Sequence, residues 1–153
     1  MRYPLLSILF FAYLLLPCTV SGDRHPDNLL FVANQMDHTV LLVDPMSKQV
    51  LAKVGVDING HEVAVSPDGR FGFVPIYGNT WVGKAGSNGR TIHVVDLHEG
   101  RTVAVIDLGK DVRPHCAHFG PDGLLYVSAE LANAIYIVDT NTRSVVGRNS
   151  NWR

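Results

Sequence analysis

One paragraph of sequence is written along this chain more than once. HEVAVSPDGRFGFVP, beginning at His61, is matched by HCAHFGPDGLLYVSA, beginning at His115. Downstream of each, an apolar run closes on Val-Asp: TIHVVD ends at Asp96 and AIYIVD ends at Asp139. A third such run, TVLLVD, ends at Asp44 behind an LLFVAN segment that starts at Leu29. These strand ends are separated by 52 and then 43 residues, and the longer gap carries an insertion. Periods of this size belong to propellers, solenoids and repeat arrays, whose units bury a core only by stacking on their neighbours.

Each unit divides into short strands. In the best-defined copy, residues 61–66 form the first strand and Pro67-Asp68-Gly69 the turn. Pro fixes φ there, Asp bonds its own backbone, and Gly accepts a positive φ. Residues 71–76 then pair back as a hairpin. Residues 90–97 and 102–108 follow as third and fourth strands, joined by the polar turn His98-Glu99-Gly100-Arg101. The next unit repeats the order at 115–119, 124–130, 134–139 and 143–147. The first, at 29–56, begins at its second strand. Runs such as VLLVD and IYIVD are apolar on both faces and need cover on both sides, as a sheet between two similar sheets has in a propeller. No segment after Gly22 shows helical periodicity with caps. The expected fold is all-β: a partial β-propeller of about three four-stranded antiparallel blades, at about 29–56, 61–108 and 115–147, the first lacking its innermost strand.

SPDG before an aromatic-containing strand, followed by a Val-Asp strand end, resembles the YVTN-type repeats of seven-bladed β-propellers. Phe31-Val32-Ala33-Asn34 and Tyr126-Val127-Ser128-Ala129 stand where that family has its YVTN tetrad, and Pro114-His115 where it has a Pro before the innermost strand. The resemblance covers Leu29 to Gly147. It implies a propeller similar to the lactonase-type, haem-d1 and amine-dehydrogenase propellers, a group mixed in function. Closed propellers use four to eight blades, and seven blades at this period would take roughly 300 residues. With 153 residues, the chain is expected to be a truncation or fragment, needing further blades or a second chain to close the ring.

Ahead of the repeats, Arg2 precedes LLSILFFAYLLL, an apolar stretch of about twelve residues, too short to span a bilayer. Val20 and Gly22 supply the small residues that a signal peptidase reads before Asp23. The expected organisation is a signal peptide at 1–22 and a propeller domain at 23–153, exported to the periplasm or the extracellular space, with no membrane attachment after cleavage. Cys116 would then be the one remaining cysteine, so no internal disulfide forms and stability rests on packing. The net charge is −1, with no basic stripe to displace counterions from phosphates, which excludes a nucleic-acid partner.

His61 and His115 open the innermost strands of successive blades. The resemblance puts them at the rim of the central channel, where ligands of such propellers bind. Two imidazoles there could bind a small molecule or protein ligand, join a metal, or act as a general base; they could equally bond loop carbonyls and hold the rim together. Glu62 is expected on the opposite face by strand alternation. Cys116 and His118 share a face of one strand and, with His115, offer ligand types suited to zinc or copper, though two same-face ligands do not complete a site. A divalent metal is the one cofactor the residues suggest. GNTWVGKA, at Gly78–Ala85, nearly matches a phosphate-binding loop but has Ala85 in place of the Ser/Thr and no following helix. It reads as an insertion in which Tyr77 and Trp81 offer stacking surfaces for a ligand, or as a decorative loop. Asp44, Asp96 and Asp139 recur once per unit and are expected to serve turns. No Ser-His-Asp order, paired-carboxylate signature or haem-attachment motif is present. The readings open at this stage are a binding scaffold of unknown specificity, a lactonase-like hydrolase or lyase using the channel-rim histidines, and an inactive remnant.

Overall fold

A computed structural model describes residues 28–150, and the expected signal segment lies outside them. Among the described residues, eleven strands form three antiparallel sheets. The first contains β1 (Leu30–Asn34), β2 (Thr39–Asp44) and β3 (Gln49–Gly55) in that order. The second runs β4 (Ala64–Val65), β5 (Phe71–Pro75), β6 (Thr91–Asp96) and β7 (Arg101–Asp107). The third runs β8 (Pro114–Phe119), β9 (Leu125–Ala129), β10 (Ala134–Asp139) and β11 (Ser144–Asn149). The only helical segments among the described residues are single 3₁₀ turns at Gln35–Asp37 and Glu130–Ala132. This is the expected partial propeller, with blades of three, four and four strands.

The blades are copies down to their irregularities. The pairing of the third and fourth strands slips between Leu42 and Val43, between Val94 and Val95, and between Ile137 and Val138. Each slip lies just ahead of the repeated Asp, and such a bulge strengthens the local twist. The Asp side chains then cap the turns: Asp44 accepts the Met46 N–H, Asp96 those of His98 and Glu99, and Asp139 those of Asn141 and Thr142. Three repetitions of one turn explain their recurrence without any chemistry.

Burial follows the stacking. Every β6 residue from Ile92 to Asp96 is buried. Ile92 and Val94, with Phe73 and Ile106, pack on Leu125, Val127, Tyr136 and Val138 of the third sheet. On the other face Val74, Ile76 and Val95 pack on Val40, Leu42 and Val54 of the first. In β10, by contrast, buried and half-buried residues alternate, as in a sheet covered on one side. A fully buried Leu, Val or Ile contributes roughly 1.5–3 kcal/mol, so these two interfaces hold the blades together. The interface with the first sheet is close enough that a Cβ on Gly72 would collide with the Phe31 ring. His93 turns toward the first blade, where its Nε2 lies 3.0 Å from Asp57 in the connecting segment.

One strand departs from expectation. The innermost strand of the second blade, expected over 61–66, is regular only at Ala64–Val65. A single bridge, Gly60 to Ile76, resumes the pairing beyond it.

Candidate functional site

The break in that strand has a cause in the sequence. The Ile76 N–H bonds to Thr91 on the β6 side, and successive residues of a strand alternate sides. The amide that Pro75 lacks would therefore have faced the innermost strand, and a proline there removes a ladder bond. Between the Gly60–Ile76 bridge and the Ala64–Phe73 pair, three residues, His61 to Val63, stand opposite two, Val74 and Pro75. The third blade does the same by another route. His115 and Cys116 stand opposite Ser128 alone, between the Pro114–Ala129 and Ala117–Val127 pairs. There the Ser128 hydroxyl accepts the Cys116 N–H at 3.0 Å, in place of a backbone carbonyl. Bulges re-aim side chains, and these two aim at each other.

The His61 and His115 rings lie with centroids 4.3 Å apart, inclined at 37°. The Glu62 carboxylate sits 3.7 Å from His115 Nδ1, and one ligating atom from each of His61, Glu62 and His115 fits within a 4.8 Å span. The expectation that Glu62 would face away is thereby corrected: strand alternation does not apply through a bulge. His115 Nε2 and His61 Nδ1 are buried without a hydrogen-bond partner. Burial, and then the neighbouring His115, lower the pKa of His61 against the pull of Glu62, which favours the neutral imidazole. The Cys116 thiol reaches the same carboxylate; burial, then the hydrogen bond and charge of Glu62, push its pKa up. His118 is exposed and does not join the group. The cluster thus assembles around His115 with His61 and Glu62, rather than with Cys116 and His118.

Beside His115 opens a cavity of about 340 Å³, lined by Val82, His115, Ser128, Ala129, Glu130, Asn133 and Ala134. One wall is the insertion loop, which is far from loose. Gly78, at φ 102°, makes its first turn where a Cβ would collide with the Ser87–Gly89 backbone. From the first-blade side, buried Asn59 donates to the Gly78 and Thr80 carbonyls at 2.8 and 3.0 Å. From the third-blade side, Glu130 accepts the Gly83 N–H at 3.2 Å, the Tyr77 hydroxyl, and Arg113 Nη1 at 3.3 Å. Arg113 is buried, its Nε on Asn88 Oδ1 at 2.7 Å and its guanidinium 5.7 Å from the Tyr77 ring centroid. Burial works to raise the Glu130 carboxyl, but the donors from Tyr77, Gly83 and Arg113 outweigh it and hold the pKa below the usual value.

Tyr77 is correspondingly not the open stacking surface expected of it. It is 1% exposed, with its ring edge-on to His115 at 5.4 Å, and forms a floor under the histidine pair. Burial first, and then its bond to Glu130, raise its pKa. Trp81 is exposed, but it lines a second cavity, with Met36, His38, Ile58 and Asn59. Val82 is the loop residue that reaches the histidine side. Glu62, Arg113 and Glu130 were not legible as site residues, although Pro75 signals the break that brings Glu62 round.

No family model and no curated protein matches the chain. Among solved structures it is similar to Kuenenia stuttgartiensis hydrazine synthase, with a TM-score of 0.67 and 24% identity over 79% of this chain and 33% of that one. It is also similar to a protein of unknown function from Bacteroides caccae, with a TM-score of 0.52 and 17% identity over 74% of this chain and 38% of that one. The chain thus spans well under half of either. Both likenesses are of fold.

Proposed function

We propose that this chain is part of an exported YVTN-like β-propeller that binds a small polar molecule where two innermost strands meet, with His61, Glu62 and His115 as its contacts. The observation that carries this reading is the convergence of two separate bulges on one side-chain cluster beside a cavity. Each bulge gives up ladder pairing, and together they bring two imidazoles and a carboxylate together, with His115 lining the cavity. A volume near 340 Å³ is at the lower end of the range for small-molecule pockets. Export rests on the apolar run before Gly22.

The test is a thermal-shift screen of metabolite-sized organic acids, amines and lactones on the purified chain, repeated on the His61→Ala/His115→Ala double variant. Compounds that stabilise the parent and not the double variant support the reading. Identical responses in both proteins return the histidines to a structural role. A second reading, a lactonase-like hydrolase, is favoured by the lowered pKa of His61, since a neutral imidazole beside a carboxylate suits a general base. Lactone consumption by the chain, abolished in the double variant, separates catalysis from binding.

A further inference from the structure

Resting on the same cluster, we propose that His61, Glu62 and His115 form a site for a divalent transition metal of the zinc or copper class, with an open position toward the cavity. Two imidazole nitrogens and one carboxylate oxygen are the three-ligand donor set of open zinc sites, in which a water or substrate takes the fourth place. The three ligating atoms lie within 4.8 Å of one another. Metal–ligand distances of about 2.0–2.2 Å require a smaller spread, which rotation of the half-buried side chains supplies. A nitrogen of each ring is buried without a protein partner, and buried polar atoms are otherwise almost always satisfied. A bound cation satisfies such a nitrogen. Tyr77, edge-on to His115 and tied to Glu130, fixes the second ring from below. The two imidazole nitrogens bias the site toward zinc or copper and away from calcium or magnesium.

The experiment uses untagged chain stripped with EDTA and titrated at neutral pH with Zn²⁺ by calorimetry and with Co²⁺ by visible absorption. The expected result is one ion per chain and cobalt bands of low coordination number. His61→Ala/His115→Ala should weaken binding at least a hundredfold and Glu62→Gln at least tenfold, while His118→Ala changes nothing. Circular dichroism confirms that each variant is folded. Absence of binding to the folded parent overturns the proposal, as does equal affinity in the double variant or an equal loss on His118→Ala. The small-molecule screen repeated in EDTA keeps the two ideas apart. Compounds that bind stripped protein while Zn²⁺ does not would leave the cavity reading standing and remove the metal, and the reverse pattern would do the opposite.

Discussion

Replacing Glu130 with alanine takes one carboxylate from three partners at once. Arg113 is the one that matters most, because its side chain is only 6% exposed and Glu130 is its only acidic partner within ion-pairing distance among the described residues. Breaking a buried ion pair by deleting one member costs about 3–5 kcal/mol, since the survivor remains buried and uncompensated. Glu130 is 27% exposed, so water can reach the vacated place and the low end, about 3 kcal/mol, applies. The Tyr77 hydroxyl and the Gly83 amide lose their acceptor in the same step. For a domain of this size each kcal/mol moves Tm by about 4 °C, giving a fall of about 12 °C by scanning calorimetry. Glu130→Gln keeps an acceptor and loses only the charge, and should cost about half as much. Adding Arg113→Met to Glu130→Ala removes the stranded guanidinium and should recover part of the loss. A fall of less than about 3 °C in Glu130→Ala, or a double variant worse than the single, would refute this account of the loop clamp.

On the first-blade side, Asn59→Ala should cost about 1–3 kcal/mol, because it takes a buried donor from the Gly78 and Thr80 carbonyls, and it should raise amide exchange in residues 78–88. Gly72→Val overpacks the contact with Phe31 and should destabilise by about 1–3 kcal/mol, as measured by urea unfolding. The pH dependence has a defined sign: folding lowers the pKa of His61 below its ordinary 6.5 and that of Glu130 below 4.5, so the unfolded chain binds more protons in each window. Stability is then full above pH 6.5 and declines in two stages as pH falls through the folded values; in metal-free buffer His61→Ala should remove the upper stage.

The blades were legible because repetition is redundant: three Val-Asp strand ends and two Pro-Asp-Gly turns each report one sheet. Stacking was legible from VLLVD and IYIVD, runs apolar on both faces, although the strand covered on both sides is β6, buried from Ile92 to Asp96. The site was only half legible. The alignment placed His61 and His115 at equivalent positions, but alternation misplaced Glu62, because a bulge changes register within one residue and leaves no periodicity to detect. Tyr77 was misread for a related reason. It is the residue at which β5 gives way to the insertion, and an aromatic there can face solvent or fold beneath the loop. The Glu130 contacts that decide between these outcomes lie in a different blade, 53 residues away.

The central claim is that two bulged strands from neighbouring blades bring His61 and His115 into contact. The most direct measurement is a nuclear Overhauser spectrum of the purified chain with both imidazoles assigned by substitution. With ring centroids 4.3 Å apart, the ring protons of His61 and His115 should give cross-peaks to each other, and those of His115 to the Tyr77 ring. Assigned resonances that show contacts only within their own sheets would contradict the convergence and everything built on it.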